Sequence, residues 1–349
     1  MKRLLPLAGG QQRRERVAAR AADPVGACLD RTQKSGLGHD HRLAVFSRSG
    51  NAPAVGPERE LRLELLKRLM PRAIQNRLQA ILTELRVRRA EVLTGRFVRP
   101  TGRPHVLPGE LIVCLTSYPP RFHALAKTLK SLLAQDVLAD RTILWLADSD
   151  LQMLPGDVLQ LTAFGLEIRT CEDIGSYKKI VPALREFPDA FVVTADDDIY
   201  YPPDWLSELV GGVRPGEKLV VCRRAHRPLG KLGDFAPYSQ WEWEIKTDEG
   251  VRDDLFPTGG AGALYPPGSL APEVLSIEDF KELCPTADDV WLYCMAKRAG
   301  TLHRQVGGRF RLINWRGTQD NGLEHYNVLN GNDDQLRRVW AKFCSHLSE

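Results

Sequence analysis

The spacing of apolar residues changes character twice along the chain. Residues 57–93, "PERELRLELLKRLMPRAIQNRLQAILTELRVRRAEVL", put Leu61, Leu65 and Leu69, then Ile74, Leu78, Ile81 and Leu85, at helical spacing. Pro71 lacks an amide donor and clashes with the preceding turn, which predicts two helices or one bent one. The polar face is mostly arginine, so the stripe either docks on the body of the protein or lies on a membrane surface. Upstream, residues 1–55 are rich in Arg, Ala, Gly and Ser and keep no steady period, as expected of a disordered basic leader.

Past the turn-rich "RPTGRPHVLPGE" the apolar runs shorten to strand length. "LIVCLTSY", "RTILWLAD", "LEIRTCED" and "AFVVTADDD" read as strands. Between them "PRFHALAKTLKSLLAQ", with Phe122, Leu125, Leu129 and Leu132/Leu133 on one face, "LPGDVLQLTAFG" and "SYKKIVPALREF" read as helices. Strand–helix alternation with short links predicts an α/β fold with a mostly parallel sheet covered by helices on both faces. Three segments are expected: a leader at 1–55, a helical arm at 56–105 and the α/β domain at 106–349. Ligands collect at the carboxyl ends of such strands. Here those ends carry Thr116-Ser117, Asp148, Glu172-Asp173 and Asp196 to Asp198. The closing "GNDDQLRRVWAKFCSHL" begins with an Asn/Asp cap signal and reads as a packing helix.

The chain of 349 residues is 43% apolar and 26% charged, ordinary for a globular protein. No run of about 18 apolar residues is present, and the N-terminus is too short in apolar residues for a signal peptide. The seven cysteines are scattered and form no CxxC, so a cytoplasmic protein with reduced thiols is expected. Residues 1–105 carry a net charge of +13 and the remainder −9. The basic arm leaves peripheral contact with an anionic membrane open. No nucleic-acid motif accompanies it, and no nucleic-acid partner is expected.

Three consecutive aspartates repel one another, and a divalent cation would remove that penalty. Mg²⁺ or Mn²⁺ takes one or two carboxylates together with phosphate oxygens. Strand alternation puts Asp196 and Asp198 on one side and Asp197 on the other, which favours the first two as metal ligands. His303 and His325 are isolated histidines, either available as a third ligand. "FPTGGAGALYPP" lacks a P-loop lysine; its glycines would let backbone pass close to a sugar. "CRRAHRPLG" groups Arg223, Arg224, His226 and Arg227, and Trp241 and Trp243 offer either a stacking platform or core.

The succession "LIVCLTSYPPR", "ILWLAD", "EDIGSYKKIVPAL", "VVTADDDIYYPPDW", "GGAGALYPPGSL", "CPTADDVWLYCMAKRAG" resembles the GT-A nucleotide-sugar glycosyltransferases, in particular bacterial family 2-like enzymes of polysaccharide biosynthesis, over roughly residues 110–315. The resemblance implies a GT-A-like, Rossmann-like fold and a DxD motif, Asp196 and Asp198, holding Mn²⁺ or Mg²⁺ on a donor diphosphate. Thr116, Tyr118 and Arg121 would lie around base and ribose, Asp148 at the base, Lys178 or Lys179 near base or phosphates, and Asp197 by the ribose. Asp289, or else Asp288, would be the general base, with Gly259, Gly260 and Trp291 on the acceptor or sugar side. A "DDGS"-like end to the second strand is usual in the family, and "ADSD" stands there. The implied reaction moves a sugar from a nucleotide donor, UDP-linked by preference, to a hydroxyl of a glycan or glycolipid with inversion. Magnesium-dependent nucleotidyl or phosphoryl transfer and non-catalytic binding of an anionic polymer are the alternatives.

Overall fold

The computed structural model describes residues 70–214, 216–245, 250–319 and 331–347. The expected leader, the first part of the arm and His325 lie outside them. The central sheet has eight strands: β1 Leu111–Thr116, β2 Arg141–Ala147, β3 Leu166–Cys171, β4 Phe191–Thr194, β5 Leu219–Cys222, β6 Val251–Arg252, β7 Ala263–Tyr265 and β8 Leu302–Gln305. Their order is β6-β8-β5-β7-β4-β1-β2-β3. Strands β1 to β4 pair in parallel, as do β5 and β8. β7 runs antiparallel to both β4 and β5, so those two point the same way. The four acidic or polar strand ends therefore share one edge with the ends of β5 and β8. β6 closes the far side antiparallel to β8. The sheet is mixed and mostly parallel, as the alternation predicts.

The helices that matter here are α1 Arg72–Gly95, α2 Phe122–Leu133, α3 Val181–Glu186, α4 Trp205–Gly212, α5 Ile277–Leu283, α6 Asp288–Arg298 and α7 Asn332–Phe343. Two-residue alternation divides the strand side chains between two cores. Ile112, Cys114, Ile143, Trp145, Val192 and Val220 join one core with α6 and α7; Leu111, Val113, Leu115, Leu144, Leu146, Val193 and Val221 join the other with α2 and α4. The α2 stripe of Phe122, Leu125, Leu129, Leu132 and Leu133 is buried as its spacing predicts. Each such leucine contributes about 2 kcal/mol. "SYKKIVPALREF" folds as a 3-10 turn, Gly175–Lys179, and then the short α3, the break falling at Ile180.

Helix α1 starts directly after Pro71, where the sequence predicts a break. Its attachment uses an unexpected face. Ile74, Leu78, Ile81 and Leu85 are 49%, 43%, 50% and 56% exposed, and it is Val87, Ala90 and Thr94 that are buried. Ala90 meets Ala124, Tyr200 and Trp315 in a small separate core, and Lys127 pairs with Glu91 at 3.0 Å. The last residues assigned to the arm are tied to the body, since Arg103–Pro104 pairs in parallel with Val137–Leu138.

Candidate active site at the carboxyl edge of the sheet

The chain turns as soon as β4 ends at Thr194, and the turn brings Asp197 and Asp198 to one cation, Arg121, and Asp196 to another, Lys179. Tyr201 pins it: its hydroxyl accepts from the Asp196 amide (2.8 Å) and donates to the Gly260 carbonyl (2.9 Å). Asp197 is 4% exposed and accepts from Ser117 Oγ (2.5 Å) and Arg121 Nη1 (2.8 Å). Asp198 forms an ion pair with the same Arg121 nitrogen (3.1 Å) and accepts from Gln319 Nε2 (2.8 Å). Asp196, with its side chain 32% exposed, pairs with Lys179 at 3.0 Å. Burial raises the Asp197 carboxyl against the pull of Arg121. Burial and then the charge of Asp196 push Asp198 up to about 7. Burial would lower the Arg121 guanidinium, but Asp197 and Asp198 outweigh it and hold it raised.

A second group of carboxylates enters from α6. This helix begins at Asp288 after Ala287, so neither Asp288 nor Asp289 is the cap; both stand in the first turn. Asp288 Oδ2 lies 2.6 Å from Lys179 Nζ, which also holds Asp196. Burial alone would lower the Lys179 ammonium; Asp196, Asp288 and Asp289 reverse that and keep it charged. Asp289 Oδ1 accepts from the Gly259 amide at 2.9 Å. Burial, then the neighbouring Asp288, raises the Asp289 carboxyl above its ordinary range. The adjacent Lys178 turns the other way and pairs with Asp173. Of the two lysines, Lys179 is the one that joins Asp196 and Asp288.

The glycine-rich segment separates the two groups. A Cβ on Gly259 would stand 2.6 Å from Asp289 Oδ1 and 3.2 Å from Lys179 Nζ; one on Gly260 would stand 3.1 Å from Asp196 Oδ2. The backbone passes close to carboxylates on both sides, and a side chain at Gly259 would displace the Asp289 carboxylate. Gly262 adopts φ +92, and a Cβ there would strike Trp205 at 2.5 Å.

Other expected site residues divide into those at this edge and those elsewhere. Thr116 donates to the Trp145 carbonyl (2.8 Å), and Tyr118 lies with its ring 5.7 Å from the Arg121 guanidinium. Asp148 is exposed at the end of β2 and has no ion pair among the described residues. Asp197, expected beside a ribose, is buried and accepts from Ser117 and Arg121. Trp291, expected on the acceptor or sugar side, is a core residue: it is 0% exposed, donates to the Val274 carbonyl (3.2 Å) and packs edge-on against Phe280 and Phe343. Trp241 is likewise core, whereas Trp243 is 37% exposed over His226. Arg223, Arg224 and Arg227 pair with Glu208, Glu244 and Glu242. His303 is buried against Tyr293. Gln319 and Tyr201 have no role in the expectations; Tyr201 lies within the quoted "VVTADDDIYYPPDW", three residues past the last aspartate, whereas Gln319 lies 121 residues beyond Asp198 and in no quoted motif.

Among the described residues no group of three or more His, Cys, Asp or Glu is arranged to hold a metal. Two carboxylates are candidates, Asp196 with an exposed edge and Asp198, which burial and then the charge of Asp196 raise and which Arg121 and Gln319 hold. That donor set suits a hard divalent ion that completes its shell with phosphate oxygens and water.

No family model and no curated protein matches the chain. Similar solved structures include the mannosyltransferase PcManGT of Pyrobaculum calidifontis in complex with GDP-Man and Mn²⁺, 15% identical over 74% of this chain and 71% of that one, TM-score 0.41. The inositol-1-phosphate CTP transferase of T. maritima is 12% identical over 65% and 97%, TM-score 0.36. Glucosyl-3-phosphoglycerate synthase of Mycobacterium tuberculosis, in complex with Mn²⁺, UDP and glucosyl-3-phosphoglycerate, is 15% identical over 66% and 80%, TM-score 0.34.

Proposed function

We propose that this chain is a metal-dependent GT-A-like glycosyltransferase that moves a sugar from a nucleoside-diphosphate donor, UDP-linked by preference, to a hydroxyl of a glycan or glycolipid. One observation carries the reading. Two carboxylate groups, Asp196 with Asp198 and Asp288 with Asp289, meet at one sheet edge, with Lys179 bridging them and glycine backbone between.

Asp196 and Asp198 would hold Mn²⁺ or Mg²⁺ on the donor diphosphate. When bound, the ion neutralises the charge that develops on the departing nucleoside diphosphate. Lys179 adds a fixed positive charge beside Asp196 without having to reorganise. Asp289 is the general base. Its raised carboxyl suits proton abstraction from an acceptor hydroxyl near neutral pH, and the Gly259 amide fixes its orientation. Asp288, neutralised by Lys179, is the weaker candidate. A single displacement from the side opposite the diphosphate inverts the anomeric carbon. Arg121 keeps Asp198 in place, and Asp148 and Tyr118 stand at the strand ends where the base would rest.

The test is a thermal-shift screen of nucleotide sugars with and without Mn²⁺, followed by product analysis. A donor at about a hundred times its Kd stabilises the fold by about 2.7 kcal/mol. The expected pattern is a metal-dependent shift, release of a nucleoside diphosphate, and loss of transfer in Asp198→Ala with its fold intact. Full activity of that variant in excess chelator overturns the reading. Release of pyrophosphate, with the nucleotide joined to the acceptor, indicates nucleotidyl transfer instead.

A further inference from the structure

Helix α1 carries two apolar faces, and only one is used. At about 3.6 residues per turn, Val87, Ala90 and Thr94 fall on the side roughly opposite Ile74, Leu78, Ile81 and Leu85. The first set is buried on the body, while the second, joined by Leu82 at 45% exposure, faces away from it. The docked end packs on Tyr200 and Trp315, and the Trp315 amide donates to the Asp198 carbonyl at 2.9 Å. The helix is therefore fastened to the segment that carries the proposed metal ligands.

The charges around the free stripe are one-sided. Arg77 and Arg88 flank it on one side and Arg86 and Arg89 on the other, with Arg77, Arg88 and Arg89 exposed. The helix has two acidic residues, and both are engaged: Glu84 with Arg88 and Arg316, Glu91 with Lys127. A second cationic group adjoins it. Burial and the neighbouring charges of Arg86 and Arg309 lower the exposed Arg311 guanidinium, opposed by Glu244. No described helix is long and apolar enough to cross a membrane.

We propose that the exposed face of α1 docks in the plane of an anionic lipid bilayer, with Ile74, Leu78, Ile81, Leu82 and Leu85 in the acyl boundary and the flanking arginines among acidic headgroups. An apolar stripe bordered on both sides by arginine is the pattern of a helix lying in a membrane interface. Each arginine near an anionic leaflet strengthens binding. A second copy of the chain is a poorer occupant. Two such helices side by side would oppose arginine to arginine, and the two acidic residues of α1, Glu84 and Glu91, are already engaged.

The full chain should sediment with phosphatidylcholine vesicles that contain phosphatidylglycerol, far less with phosphatidylcholine alone, and should be released by salt. Leu78→Glu/Leu85→Glu should weaken this binding on the order of ten-fold or more. Arg77→Gln/Arg89→Gln, which removes two exposed side chains that form no ion pair among the described residues, should weaken it on the order of ten-fold while circular dichroism stays unchanged. The arginine pair decides the matter if the glutamate pair does not fold. Three results overturn the proposal. The full chain fails to sediment; binding survives both double variants and so belongs to another part of the chain; or light scattering finds a dimer that Leu78→Glu/Leu85→Glu makes monomeric, so that a second copy covers the stripe.

Discussion

The carboxyl edge of the sheet and helix α1 handle charge in opposite ways. At the edge, five carboxylates crowd together, and the chain supplies its own answers: Arg121 for Asp197 and Asp198, Lys179 for Asp196 and Asp288, the Gly259 amide for Asp289. Along α1, arginines and leucines stand without internal partners beyond Glu84 and Glu91. Internal compensation holds a site in shape before any ligand arrives; charge and apolar surface left uncompensated mark where something external must come. Compensation falls short at Asp197, Asp198 and Asp289, whose carboxyls stay raised although Arg121, Lys179 and the Gly259 amide pull them down.

The heaviest blow to this contrast is removal of the bridging cation. Lys179→Met leaves Asp288, 8% exposed, without its counter-charge, and breaking a buried pair on one side costs about 3 kcal/mol or more. The third of the Asp196 side chain that is exposed moderates its share. Chemical denaturation at neutral pH should show the loss. Burial and Asp288 already raise the Asp289 carboxyl, and Lys179 opposes them; without Lys179 that carboxyl ionises in the folded state at a greater cost. The deficit is therefore largest above the raised range of Asp289 and shrinks as pH falls through it and the carboxyl protonates. A variant as stable as the parent at neutral pH would mean that water, not Lys179, screens these groups.

A smaller perturbation separates the glycine passage from the charge balance. Gly259→Ala adds a methyl 2.6 Å from Asp289 Oδ1, which must move and give up the Gly259 amide. Loss of one such hydrogen bond is worth about 1 kcal/mol of stability. A base misplaced by about 1 Å costs catalysis on the order of a hundred-fold. Transfer should fall far more than the melting temperature does, with donor affinity nearly unchanged. An equal fall in donor affinity would move Gly259 from the acceptor side of the site to the donor side.

Much of this edge is legible in the linear chain because strands announce themselves locally. "FVVTADDD" alternates between two cores and then runs out of apolar residues where the sheet ends, so both the strand and its acidic tip are visible. What pairs with what is not visible. Arg121 and Asp197 are 76 residues apart, and Lys179, in the turn before α3, meets Asp288 in the first turn of α6. Lys178 and Lys179 are indistinguishable by type, and a 3-10 turn sends them in opposite directions. Trp291 stands three residues after Asp288, one turn along the same helix, but its indole leans into the core while the carboxylate leans out. In α1 the period is read correctly, yet periodicity states that a face is apolar and not what covers it.

The finest distinction lies between the two faces of α1. Leu85 is 56% exposed and Ala90 is 1% exposed, although the pattern of the chain gives the leucine the stronger claim to burial. Leu85→Ala should change stability by no more than about 0.5 kcal/mol, the range of surface substitutions, and alanine's better helix propensity offsets part of the lost contact. Ala90→Leu puts a larger side chain into a space already filled by Ala124, Tyr200 and Trp315, and such overpacking costs about 1–3 kcal/mol. Because Trp315 holds the Asp198 carbonyl, this variant should also weaken Mn²⁺-dependent stabilisation by donor, which Leu85→Ala leaves intact. The reverse order, with Leu85→Ala the more harmful in the absence of lipid, would mean that the exposed stripe is already covered within the chain. The contrast between a self-satisfied edge and an outward-facing helix would then fail at its weaker side.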